Sequence, residues 1–165
     1  MNMIYNTKTI RRQDRVMDEQ RAREIIENAE YAVFSMIDED GLPYGIPVNA
    51  VFSGDSAYIH CAPEGKKLRA IALHSDVSLC VIGNVNLLPD KFTTEYESVV
   101  LKGKATIVTD EEERKNAIHI LLEKYSSEFM ERGLYYAAKS LPRTAVIRVD
   151  LSEFSGKCKH MHNKK

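Results

Sequence analysis

The 165-residue chain has no long apolar run, no charge excess and no disulfide framework. No apolar stretch approaches the roughly 20 residues a membrane helix needs, so no membrane partner is expected. Its 24 acidic and 23 basic residues leave a net charge of −1. Nucleic-acid binders of this size carry a basic excess, and no nucleic-acid partner is expected either. Three cysteines, Cys61, Cys80 and Cys158, are odd in number and far apart. They define no pairing scheme and fit a reducing, cytoplasmic setting. Residues 1–15 are polar and basic, without the apolar core of a secretory signal. P-loop, G-x-G-x-x-G and H-E-x-x-H patterns are absent, as are Ser-His-Asp and Cys-His-Asn sets. Tryptophan, internal repeats and low-complexity segments are missing too. What remains is an ordinary globular balance, 44% hydrophobic and 28% charged, enough for one domain with a real core.

The pattern of that core is mainly β. A first helix is capped by Asp18 and places Ala22, Ile25, Ile26 and Ala29 on one stripe. A buried strand over 31–37 turns at Asp38-Glu39-Asp40-Gly41 into a second over 44–52, where Pro47 marks an end, an edge or a bulge. Ser53-Gly54-Asp55 turns the chain into Ala57–Cys61. A short helix over 66–74 precedes a strand over 77–82, and residues 83–94, with Pro89, are expected as a loop. A long strand over 96–108, bent at Gly103, leads to a capping box at Thr109–Glu112 and a helix with Ala117, Ile118, Leu121, Leu122 and Tyr125 on one side. A further helix over 128–139 ends at Pro142, before a last strand over 144–149. Hairpin connections predominate, so the expected fold is mainly β with peripheral helices, an antiparallel sheet closed or half-closed into a small barrel.

The most suggestive segment is Tyr58-Ile59-His60-Cys61-Ala62-Pro63-Glu64-Gly65-Lys66-Lys67-Leu68-Arg69. A strand runs through a Pro/Gly turn into a helix that opens with two lysines. Unpaired N–H groups, the positive end of the helix dipole and a lysine charge together suit a phosphate. The alternative is a turn followed by two solvated lysines. Period two puts His60 on the strand face of Tyr58 and Cys61 on the opposite, core-directed face. Cys80, inside an apolar strand, is expected in the core.

Five motifs in order carry a family resemblance: Arg11-Arg12-x-Asp14-Arg15; Asp40-Gly41-x-Pro43-Tyr44-Gly45-x-Pro47-Val48-Asn49; Tyr58-Ile59-His60 with Gly65-Lys66-Lys67; Tyr96-Glu97-Ser98-Val99; and Gly103-Lys104. Together they resemble the FMN-binding split-barrel superfamily of pyridoxamine 5′-phosphate oxidase relatives, and within it the 5-nitroimidazole-resistance flavoproteins. The resemblance implies a six-stranded antiparallel split β-barrel over about 11–157, a single domain within 1–165, with 158–165 a flexible tail. It also implies a homodimer with FMN at the subunit interface. Pro47, Val48 and Asn49 would present main-chain groups to the flavin ring. Ile59, His60 and Cys61 would end the neighbouring strand beside it, and Gly65, Lys66 and Lys67 would hold the phosphate. Ser98 and Val99 would complete the pocket from the partner subunit.

In the arginine-rich phosphate turn and the C-terminal arginine with its nearby aromatics, the sequence departs from the vitamin B6 oxidase pattern. The expected activity is therefore reduction of a small planar or nitro-aromatic acceptor by an FMN oxidoreductase fed by NAD(P)H or another reductant. His60 would donate a hydrogen bond beside the flavin or the substrate, as the catalytic side chain. The alternative is a non-catalytic flavin- or haem-binding protein on the same barrel, and a deazaflavin-dependent relative is a third reading. No metal is expected, although Cys158-x-His160-x-His162 has soft ligands. Arg11, Arg12 and Arg15 either close over the cofactor or form a solvated arm. Charge-assisted hydrogen bonds to a phosphate are worth about 1.5–3 kcal/mol. Loss of Lys66 or Lys67 should therefore weaken FMN binding about ten- to a hundred-fold.

Overall fold

The computed structural model describes residues 3–160. One sheet of eight strands organises them: β1 (Ile4–Tyr5), β2 (Ala32–Ile37), β3 (Pro43–Val48), β4 (Val51–Ser53), β5 (Ser56–Cys61), β6 (Asp76–Leu88), β7 (Thr93–Ile107) and β8 (Ala145–Lys159). The spatial order is β3-β2-β6-β7-β8-β5-β4, antiparallel throughout, with the short β1 added in parallel to β8. Residues alternate in and out along β2, β5 and β6, so the inner face collects Phe34, Ile59, Leu79, Leu101, Ile147 and Phe154 as a continuous core. The two edge strands, β3 and β4, are consecutive in the chain and joined only by Asn49-Ala50. The sheet therefore curls into a barrel that stays open, a split barrel, as expected from the resemblance.

Four helices surround it: α1 (Glu19–Asn28), α2 (Lys66–Leu73), α3 (Glu111–Ser126) and α4 (Met130–Ser140). The Asp18 side chain caps α1 by accepting the Arg21 N–H, and Ala22, Ile25 and Ile26 are its buried stripe. Pro47 lies within β3, and it is tolerated there because β3 is an edge. Opposite Gly103 the β7–β8 register shifts, where the strand was expected to bend.

Several expectations give way. Residues 83–94 are no loop: Val85–Leu88 pair with Thr93–Tyr96 across a 3-10 turn at Pro89–Lys91. Asn84, Asn86 and Glu95 alternate there with exposed Val85 and Leu87, so this arm has no buried face to betray it. β8 runs to Lys159, paired with Tyr96 of β7, so Cys158 and Lys159 belong to the sheet rather than to a tail. Backbone pairing along the long β7 overrides their polar composition. The cap of α3 is Asp110, whose carboxylate accepts the Glu113 N–H at 2.7 Å, one residue on from the expected box. Cys80 is only half-buried, because alternation turns it outward with Ser78 and Ile82. Among the described residues no helix is long and apolar enough to cross a membrane.

Candidate functional site

The site forms where the barrel fails to close. As an edge strand paired only with β2, β3 leaves alternate main-chain groups of Tyr44–Val48 without a sheet partner. The corner that follows is clamped. The Tyr125 hydroxyl of α3 accepts the Ala50 N–H at 3.1 Å and donates to the Ala50 carbonyl at 2.9 Å. Lys124 Nζ donates to the same carbonyl at 3.2 Å, and burial lowers its pKa. Asn49 Nδ2 donates to the Glu30 carbonyl at 3.1 Å. Pro47, Val48 and Asn49 thus end in a corner held by α3 and by the residues after α1.

Beside it lies the end of β5. Ile59 is buried in the core and Cys61 packs against the same core, as period two required. His60 turns the other way. Its ring is open to the cavity yet crowded by protein, and its pKa is lowered, first by burial and then by the Lys67 charge. Burial raises the Cys61 pKa, with Lys67 pulling against it. At neutral pH, then, His60 is a neutral imidazole and Cys61 a thiol rather than a thiolate.

Gly65 starts α2 with φ +153°, a conformation essentially reserved for glycine. No side chain caps this helix, and the N–H groups of Leu68 and Arg69 fold back onto the Gly65 carbonyl. The two lysines behind it differ. Lys66 pairs with the buried Asp38 at 2.9 Å and lies over the Tyr44 ring. Lys67 forms no ion pair with any described residue. An uncapped helix start with one uncommitted ammonium fits a phosphate group.

Asn49, His60 and Cys61 come together in a cavity of about 630 Å³. Its other wall is the α3–α4 hairpin, through Leu122, Tyr125 and Tyr136, and the turn after it, through Arg143 and Thr144. The hairpin closes tightly because Gly133 has no side chain: a Cβ there would stand 2.9 Å from Leu122. Sequence reasoning missed this wall; only the apolar stripe through Leu121, Leu122 and Tyr125 hinted at it. Gly65, Lys66 and Lys67 flank the cavity's β5 side without lining it. Ser98 and Val99 sit elsewhere in the chain: Val99 is fully buried, and Ser98 faces outward on β7, near the Lys157 carbonyl.

Two of the three arginine candidates are partnered. Arg12 and Arg15 both pair with Asp14, whose pKa falls to about 2, chiefly through Arg12. Cys158 lies one residue before the end of β8, half-buried. His160 Nε2 is 3.7 Å from the Glu97 carboxylate, which Arg21 grips through two nitrogens. His162 lies outside the described residues.

An antiparallel sheet whose edge strands β3 and β4 leave the barrel open is the architecture of the split-barrel class. The chain belongs to the pyridoxamine 5′-phosphate oxidase family, whose sequence profile matches residues 18–158. No curated protein matches the sequence. Among solved structures, a candidate 5-nitroimidazole antibiotic resistance protein from Bacteroides thetaiotaomicron is 23% identical, with a TM-score of 0.71 over 87% of this chain and 86% of that one. The flavocytochrome Anf3 from Azotobacter vinelandii is 22% identical, with a TM-score of 0.73 over 87% and 68%. A FAD and heme binding protein from Mycobacterium smegmatis is 18% identical, with a TM-score of 0.70 over 87% and 72%. At these identities the likeness is one of fold.

Proposed function

We propose that this chain is an FMN-dependent oxidoreductase, working as a homodimer, that takes electrons from NAD(P)H and reduces a small planar acceptor, nitro-aromatics included. The observation that carries it is the juxtaposition of the uncommitted Lys67 at an uncapped helix start with His60 and the clamped corner. When bound, the flavin supplies the electron chemistry. Lys67 and the first N–H groups of α2 bind its phosphate. The main chain of Pro47–Asn49 orients the ring, held in place by Tyr125 and Lys124. Neutral His60 donates from one ring nitrogen and accepts at the other, which positions a polar group of the acceptor without adding charge. Leu122 and Tyr136 keep water from the acceptor. The family's flavin binding, and an F420 reductase, a flavocytochrome and a FAD and heme binding protein among the structural neighbours, support this reading.

A second copy is supported by one sheet face. Ile82, Val85, Leu87 and Val100 are exposed in one row of β6 and β7 beside Ser98, a contiguous apolar row of the kind that marks an interaction surface. The second reading, a flavin or haem carrier without turnover, rests on His60 as a neutral imidazole facing a cavity. Mass and absorbance of the chromophore released on denaturation test the cofactor, and NADPH consumption with a nitro-aromatic tests turnover. FMN with turnover is expected. A colourless protein that ignores added FMN refutes the proposal, and a bound chromophore without turnover selects the carrier.

A further inference from the structure

The cavity's lining has an electrostatic bias that the flavin reading does not use. Among the described residues no Asp or Glu lines it, in a chain with 24 of them. The adjoining cavity of about 640 Å³, which shares Ile118, Ala137 and Leu141, does carry carboxylates, Glu111 and Glu112, paired with Lys115, so the bias is local and not a property of the helices. Arg143 supplies the positive charge on the α4 side, and it forms no ion pair with any described residue. The turn that bears it is built to stay in place. Arg114 of α3 donates to the carbonyls of Leu141 and Thr144 at 2.6 Å each, bracketing Arg143. Thr144 Oγ1 donates to the Ser140 carbonyl at 2.9 Å, and the Thr144 N–H to the Leu141 carbonyl. Facing this arginine are apolar walls, Leu121, Leu122 and Ala137, and two tyrosine rings. A free guanidinium on a held turn, lining a cavity with an apolar wall, is matched by a carboxylate on a flat hydrocarbon frame.

We propose that this cavity binds a small aromatic carboxylate, anchored through its carboxylate by Arg143 and packed against Leu121, Leu122 and Tyr136. As the acceptor's seat this rests on the flavin reading above; as an anion-selective binding site it stands without it.

The test uses the full chain near neutral pH with benzoate as the probe and benzamide as its uncharged isostere. Calorimetric titrations are run before and after saturation with FMN. Benzoate should bind at least tenfold more tightly than benzamide, and Arg143→Gln should remove that preference, a loss of about ten- to a hundred-fold for one charge-assisted contact. Arg143→Lys should restore part of it. Because the side chain is exposed and unpaired, an unchanged melting temperature is expected for both variants. Failure of benzoate to bind, equal affinities for the two probes, or an undiminished preference in Arg143→Gln would overturn the proposal. Loss of benzoate binding on FMN saturation would give the cavity to the flavin and overturn the acceptor assignment. A protein that takes up no flavin yet keeps the Arg143-dependent preference refutes the flavin reading and leaves the anion site standing.

Discussion

Replacing Tyr125 with Phe removes one oxygen atom and tests the clamp on the barrel's open corner. The hydroxyl accepts from the Ala50 N–H and donates to the Ala50 carbonyl, and Ala50 is only 1% exposed. The carbonyl keeps a partner in Lys124. The N–H loses the partner described for it, and a buried donor left without one costs about 1–3 kcal/mol. The phenyl ring keeps its packing, so no cavity adds to that figure. For a chain of this length each kcal/mol moves the melting temperature by about 2–4 °C, which places the expected drop at about 2–12 °C. The assay is urea and thermal denaturation of both proteins with FMN absent and at saturation. Under the proposed function the corner orients the flavin, so the stabilisation gained from saturating FMN should also shrink in the variant. Lys124→Met, which leaves the Ala50 N–H bonded to Tyr125, should cost less. A Tyr125→Phe protein that unfolds at the wild-type midpoint would refute the clamp, for then water satisfies Ala50 equally well.

Three further outcomes are expected. Lys67→Ala should weaken FMN binding about ten- to a hundred-fold in a fluorescence titration, and Lys66→Ala by less, because Lys66 is already paired with Asp38; the reverse order would break the phosphate assignment. The His60 imidazole should titrate below its ordinary value of 6.5 when followed by NMR. The unfolded chain binds the proton more readily, so His60's contribution to stability is present above about 6.5 and is lost as pH falls through the lower folded value. His60→Gln should flatten that part of the stability–pH curve, and an unaltered curve would count against it. Gly65→Ala should cost about 1–3 kcal/mol through backbone strain alone, since nothing lies within 4 Å of the added Cβ; a neutral substitution would mean that α2 starts with a different backbone.

The sequence displayed those parts of the fold that obey a period. Ala22, Ile25 and Ile26 on α1 and the alternation of Ala57, Ile59 and Cys61 on β5 each follow from one buried face. It hid the β6–β7 arm, where both faces stay polar or exposed, and β8 beyond Val149, where Leu151 and Phe154 are buried but the register shift opposite Gly103 breaks their alternation. The same division applies to the site. His60, Asn49 and the α2 start are adjacent to legible turns. Arg143 and Tyr136 come from a distant helical hairpin, and no local signal couples them to β5. The two lysines, alike on paper, are distinguished by Asp38, a residue from another turn.

That hairpin is also where stability and function separate. β7 and β8 pair directly up to Ile107 and Ile147, so a tight turn would be enough to join them. Instead residues 108–144 leave the sheet to form α3 and α4. In return the core gains little: α3 buries Ala117 and Leu121, and α4 buries none of its residues. Its contribution lies at the site, where α3 clamps Ala50, Arg114 holds the Arg143 turn and Tyr136 walls the cavity. An element kept for the core should lose stability when its large side chains are cut, whereas one kept for a ligand should not. Tyr136 is 66% exposed, so Tyr136→Ala should change stability by no more than about 0.5 kcal/mol. It should still weaken benzoate binding several-fold, through lost ring contact over the cavity. A melting temperature that falls while benzoate affinity holds would assign the hairpin to the fold instead.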